Sequence, residues 1–391
     1  MASVTSKNRY VALDVLRGMT IAGMILVNNP GTWSKIYPPL RHAAWFGCTP
    51  TDLVFPFFLF IVGTAMAFSF ARYLDGTLSP GSGYVKLYKR ALLIFLVGLL
   101  LNAFPFFLTK PDPDLTFWEN LGSYYSHLRI FGVLQRIAMA YALGGTLALW
   151  LKKPRRIIWA FGLVLLLHWG LLYFFGGDDP YSRETNFARV MDLFLVGPDH
   201  LYRGYGLPFD PEGVLGMLSG AGTVLMGYLA GICIRRNTQK IEAVSSLYTW
   251  GLVSLGAAMI WSIWLPISKP LWTASYVLYA GGWTLLLLAF FVYLIDIKQK
   301  EKWFMPFKAL GLNPLFAFVM SGLFAKVFGR LIHWQTASGG TATPLGWLYH
   351  NVCVPVFGDN PAGSLAYAIL YVAVFTFMAI ALYKRKIIIK I

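Results

Sequence analysis

His42 stands in the run RHAAWFGCTPTDLVFPFF (residues 41 to 58), just ahead of a long apolar stretch. An imidazole with its ordinary pKa of about 6.5 is a neutral base near neutral pH, suited to proton transfer or nucleophilic attack. A single histidine is also a common structural residue, and the residue alone leaves both readings open. Of the other five, His168 lies mid-way along an apolar segment, where packing is the simpler role, and His127, His200 and His350 fall between such segments without a motif. Asp14 and Arg17 are three residues apart and share one helical face, which permits an ion pair. Thr51 and Asp52 precede one apolar run, and Asp210, Pro211 and Glu212 precede another. Such acidic residues can cap a helix, and they can also hold a cationic or hydroxyl-rich ligand. Arg136, in RIFGVLQRIAMAY (129 to 141), falls about seven residues into an apolar segment, roughly 10 Å deep, where an anionic partner is expected from protein or ligand.

The elements that position these groups follow from composition. Of 391 residues, 57% are hydrophobic and 13% charged, too little charge to cover the surface of a water-soluble fold of this size. The expected fold is an all-α polytopic membrane protein. A bilayer span takes about 20 mostly apolar residues. Ten segments fit, at approximately 10–30, 52–72, 90–108, 130–151, 157–175, 213–234, 245–265, 273–295, 309–329 and 364–383. Ionisable groups inside them are costly, so each is a functional candidate.

Lys and Arg number 33 against 17 Asp and Glu, a net charge of +16. The surplus alternates with the connections. Lys7, Arg9, Arg17, Lys390 and the clusters Arg72–Arg90, Lys152–Arg156, Arg235–Lys240, Lys298–Lys308 and Lys384–Lys386 together hold 22 of the 33. The positive-inside rule then puts both termini in the cytoplasm, and the charge requires no nucleic acid. The longer connections, 31–51, 109–129, 176–212 and 330–363, fall outside, where binding chemistry is sought. The first apolar stretch contains Asp14 and Arg17 and lacks a cleavage site, so it is expected to stay as an anchor. One transmembrane domain, 1–391, is the simplest organisation. Cys48, Cys233 and Cys353 are widely spaced, and no metal site is expected.

Several segments resemble the heparan-alpha-glucosaminide N-acetyltransferase family of transmembrane acetyltransferases, including its bacterial members. They are LDVLRGMTIAGMILVNNPG (13 to 31), RHAAWFGCTPTDLVFPFFLFIVG (41 to 63), RIFGVLQRIAMAY, FDPEGVLGMLSG (209 to 220), LMGYLAG (225 to 231), SKPLWTASYVLYAGG (268 to 282) and LGLNPLFAFV (310 to 319). The resemblance implies transfer of the acetyl group of cytoplasmic acetyl-CoA to the amine of a glucosamine-type sugar beyond a bacterial inner membrane. It places the essential histidine on His42 and a helix-end asparagine on Asn28, with Asn29 the second choice. For CoA the candidates are Arg17, Arg90, Gln135 and Arg136; for the acceptor, Asp52, Asp210 and Glu212 with Trp45 and Trp272 as sugar platforms. Direct transfer is favoured over an acetyl-histidine intermediate, and a homodimer is among the expectations. An amino-sugar transporter and an O-acyltransferase of envelope glycans are the alternative readings.

Overall fold

The computed structural model describes residues 10–106, 112–336 and 339–389. Lys7, Arg9 and Lys390, part of the basic pattern, lie outside the described residues. The helices are α1 (Val11–Asn28), α2 (Pro50–Ser69), α3 (Ala71–Leu74), α4 (Pro80–Ala103), α5 (Phe117–Ser126), α6 (Val133–Leu151), α7 (Pro154–Phe175) and α8 (Phe187–Val196). They continue with α9 (Val214–Arg236), α10 (Lys240–Trp261), α11 (Ala274–Phe291), α12 (Met305–Leu312), α13 (Pro314–Lys326), α14 (Pro344–Leu348), α15 (Val354–Phe357) and α16 (Pro361–Lys384). Among the described residues the only strands form a ribbon of Trp334–Gln335 against Thr341–Ala342. The chain is an all-α, multi-pass membrane protein: among the described residues eight helices are long and apolar enough to cross a bilayer.

Each of the ten expected segments has a helix, and α4 and α6 fall outside those eight. Lys86, Lys89 and Arg90 crowd α4, and Gln135 with Arg136 makes α6 less apolar. Three boundaries differ from the sequence pattern. α4 begins at Pro80 because its basic residues are good helix formers and Pro suits a first turn. α6 begins at Val133, so Arg136 sits in its first turn rather than well inside. The ninth segment is broken at Asn313, because Pro314 has no amide to continue the ladder. The Asn313 side chain fills the break, donating to the Ile387 carbonyl and accepting from the Ile389 amide.

α2, α9 and α11 form the centre, while α7, α10 and α16 expose apolar side chains such as Trp159, Met259 and Phe377 along their outer faces. Where the hydrocarbon solvent gives apolar contacts no advantage, close backbone approach takes over. α2 and α9 meet through glycines. A Cβ on Gly227 would lie 1.9 Å from the Phe60 carbonyl oxygen, and one on Gly63 would lie 2.0 Å from that of Val224. α1 and α12 meet likewise at Gly18 and Gly311.

Gly227→Ala is therefore expected to force α2 and α9 apart and lower stability by about 1–3 kcal/mol. Thermal melts of the detergent-solubilised protein check this. An unchanged melting temperature would mean that the two backbones are not in contact at Phe60.

Candidate active site

His42 lies between α1 and α2, on a chain that turns at Pro38–Leu40 and is tied down locally. Arg41 donates from Nε to the Ile36 carbonyl (2.9 Å), and the Thr49 hydroxyl donates to the Arg41 carbonyl (2.7 Å). Thr49 is the N-cap of α2 and Asp52 its third residue, a capping box in which Oδ2 accepts the Thr49 amide (3.0 Å) and lies 3.1 Å from its hydroxyl oxygen. The same Oδ2 accepts the Ala43 amide at 3.0 Å. Oδ1 lies 2.6 Å from Nδ1 of His42. An ionised carboxylate oxygen can only accept, so a distance that short assigns the Nδ1 proton to the imidazole. Nε2 then carries the free lone pair. The Asp52 side chain is 1% exposed and that of His42 is 43% exposed, so a buried carboxylate orients an imidazole open to the surroundings.

The connection after α10 closes the other side of the site. Gly47 pairs with Ser268 in a short parallel bridge, its amide donating to the Ile267 carbonyl (2.7 Å), and the Ser268 hydroxyl donates to the Trp45 carbonyl (2.9 Å). This brings Lys269 Nζ to 3.4 Å from Asp52 Oδ1 and 3.1 Å from His42 Nδ1. With Nδ1 protonated, the lysine's partner is the carboxylate, so one oxygen serves two cationic or potentially cationic neighbours. Burial lowers the Lys269 pKa from its ordinary value, with Asp52 and Glu212 acting in the opposite sense. Tyr276 of α11 donates to the Asp52 backbone carbonyl at 2.6 Å, fastening the start of α2 from below.

Beside this lies a second polar cluster at the start of α9. Arg129 donates from Nε and Nη2 to the two oxygens of Asp210 (2.8 and 2.7 Å) and from Nη2 to Glu212 Oε2 (2.6 Å), while its guanidinium stacks over Tyr202 at 4.8 Å. Burial opposes this charge, yet Asp210 and Glu212 outweigh it and raise Arg129 above the usual arginine range. Arg136 is 1% exposed; Nη2 donates to the Gly213 carbonyl (3.3 Å) and the guanidinium lies 4.7 Å from the Trp272 ring centre. Its Nε and Nη1 have no hydrogen-bond partner, nor has Oδ2 of the buried Asp192, whose Oδ1 accepts the Val214 amide. Burial pushes the Asp192 carboxyl up to about 7.

The residues singled out from the sequence are thus dispersed among distinct settings. His42, Asp52 and Trp45 stand together. Trp45 is 5% exposed, donates to the Tyr181 carbonyl (2.8 Å), and has Arg183 over its ring at 5.6 Å. Trp272 is fully buried beneath Arg136 and donates to Thr223, so its faces belong to the core. Asp210 and Glu212 have Arg129 as their partner. Asn28 lines a separate cavity of about 230 Å³ with Asn29, Lys326 and Arg330, and no hydrogen bond joins it to His42. Arg17 bonds Asp14 (3.4 Å) and the Gly311 carbonyl (3.2 Å), Gln135 is buried against the Ile130 carbonyl (3.0 Å), and Arg90 lies exposed beside Tyr141. These candidates for CoA do not converge on one pocket with Arg136. Sequence reasoning passed over Lys269 and Arg129, although both stand in the quoted motifs SKPLWTASY and RIFGVLQR. Among the described residues no group of three His, Cys, Asp or Glu is placed to hold a metal.

Comparison with known proteins bears out the resemblance read in the motifs. Residues 9–177 match the family model described as heparan-alpha-glucosaminide N-acetyltransferase, catalytic. That segment includes Asn28, His42, Asp52, Arg129 and Arg136, and ends before Asp210 and Lys269. Heparan-alpha-glucosaminide N-acetyltransferase of Mus musculus is 28% identical over 372 residues, covering 81% of this chain and 53% of the mouse protein. The Homo sapiens protein is 26% identical over 373 residues, covering 82% of this chain and 54% of its own length. The chain spans about half the length of these curated relatives.

Two outcomes follow from the buried charges. Arg129→Ala would leave Asp210 and Glu212 without their cation and is expected to cost on the order of 3–5 kcal/mol, read as a lowered melting temperature. Asp192 keeps its proton in the folded state to about pH 7, whereas the unfolded chain releases it near its ordinary value of 3.8. Folded protein therefore binds more protons over that window, and this group's contribution to stability falls as pH rises from about 4 to about 7. Asp192→Asn should flatten the difference; parallel melting profiles for the two proteins would contradict a protonated Asp192.

Proposed function

We propose that this chain is a membrane-embedded acetyltransferase that moves the acetyl group of acetyl-CoA to the amine of a glucosamine-type sugar. The observation that carries the proposal is the His42–Asp52 pair, an outward-facing imidazole with its tautomer set by a buried carboxylate, inside the segment that matches the catalytic family model. Nε2 takes a proton from the attacking amine as its nitrogen forms the new bond to the thioester carbon. The C–S bond breaks, CoA leaves as the thiolate, and the proton held by His42 passes to it. Asp52 accompanies the positive charge that the imidazole carries between these steps.

Direct transfer between bound donor and acceptor is the preferred route, because the pantetheine arm is long and flexible enough to extend into a membrane cavity. Arg90 retains an exposed guanidinium suited to a phosphate. The basic connections support cytoplasmic termini, which puts His42 on the far side, in a bacterial inner membrane. Acceptor entry is proposed beside Trp45, Arg183 and Lys269, with the Arg129 cluster as a rigid wall of that entrance. Assembly as a homodimer is compatible with this arrangement.

The test is acetyl transfer from acetyl-CoA to glucosamine in proteoliposomes. His42→Ala is expected to lower turnover by about 10²- to 10⁴-fold or more, and Asp52→Asn by roughly 10²-fold, with both proteins folded. Undiminished turnover by His42→Ala would overturn the assignment, and a burst of CoA release without acceptor would replace direct transfer by an acetyl-histidine.

A further inference from the structure

Beyond the opposite end of α2 from His42, about 30 Å away for 20 residues of helix, a cavity of about 320 Å³ opens between α3 and the ends of α6 and α9. Its lining includes Lys152, Arg235, Arg236, Asp75 and Tyr228. Arg235 is anchored by donating from Nη1 to the Ala67 carbonyl at 2.6 Å. Arg236 and Lys152 have no ion-pair partner among the described residues. Asp75 is the one carboxylate in the lining, and its Oδ1 is occupied by the Thr77 amide (3.0 Å) and hydroxyl (2.6 Å). Tyr228 is 0% exposed, yet its hydroxyl has no hydrogen-bond partner. Lys152 adopts φ 59°, a left-handed conformation that favours glycine and is costly for a lysine.

Basic residues at helix C-termini ordinarily offset the helix dipole, and that accounts for some of the charge here. It does not account for a roomy cavity, an unpaired buried hydroxyl, or a lysine held in a strained backbone. α7 also begins at this cavity, with Pro154 in the lining, so a positive helix end adds to the three cations. A phosphate group answers all of these features at once: its oxygens accept from guanidinium, ammonium and phenol, and its charge balances the surplus.

We propose that this cavity is a phosphate-binding site, built from Lys152, Arg235, Arg236 and the Tyr228 hydroxyl, at the end of the bundle remote from His42. The phosphate belongs either to a soluble nucleotide-bearing molecule or to an anionic lipid headgroup, and the chemistry of the lining is the same for both. Only the nucleotide source draws on the acyl-transfer reading; the lipid source is independent of it.

The experiment uses the full chain in phosphatidylcholine nanodiscs. CoA is titrated by calorimetry, and retention of phosphatidylglycerol from mixed nanodiscs is measured by native mass spectrometry. For one of the two probes, the double variant Lys152→Gln/Arg236→Gln is expected to bind about tenfold more weakly or worse, and Tyr228→Phe several-fold more weakly. Arg236→Lys, which keeps the charge, should retain most of the binding. Loss confined to CoA assigns the soluble source, and loss confined to phosphatidylglycerol assigns the lipid. His42→Ala should bind either probe as the unaltered protein does, so a failure of the acyl-transfer chemistry would leave this result intact. Unchanged binding of both probes by the double variant overturns the proposal.

Discussion

The Asp52 carboxylate is the point to which three separate stretches of chain are fastened. It caps α2, holds the backbone at Ala43 and Thr49, bonds the His42 imidazole, and draws Lys269 in from the far connection. A buried carboxylate is expensive to keep unless its lone pairs are filled, and here donors fill them from both sides. The same hydrogen bonds that lower that cost also determine which imidazole nitrogen faces outward. Helix capping and orientation of the base are therefore one interaction viewed from two ends.

That arrangement survives only if α2 itself is held still. Its packing on α9 relies on backbone contact at glycines, a mode of association suited to a solvent in which apolar side chains gain little by meeting. α9 in turn carries Asp210 and Glu212 at its approach and Arg235 and Arg236 at its close, so the two polar regions are mounted on one rigid pair of helices. The Arg129 cluster beside His42 is satisfied within the protein and lends stiffness. Arg136, by contrast, has one carbonyl and one indole face for a fully buried guanidinium, with Glu212, Asp210 and Asp192 acting on it through space.

A chain organised this way has two chemically different ends. One presents an oriented imidazole beside aromatic side chains and a lysine; the other presents a cationic cavity. Under the proposed function, in which donor and acceptor approach from opposite faces of the bilayer, such a division suits the physical problem, since no single aqueous surface could supply both.

The sequence by itself determined the membrane class, because too few charges for a soluble surface and ten apolar segments leave little alternative. It also pointed to the runs in which His42, Asp52, Arg129, Asp210, Glu212 and Lys269 stand, by residue type or resemblance. Helix ends were less legible: Pro314 breaks a segment that reads as continuous, and α4 extends into its own basic residues. What only the tertiary structure decided was pairing. Asp52 and Lys269 are 217 residues apart in numbering yet share an ion pair, and Arg129 finds Asp210 across 81 positions. The burial of Trp272 and the separation of Asn28 from His42 were equally invisible. Periodicity and hydropathy report which residues a helix can place in lipid, whereas the rotation and neighbour of each helix are set by glycine contacts and shared hydrogen bonds between distant segments, which a one-dimensional pattern does not encode.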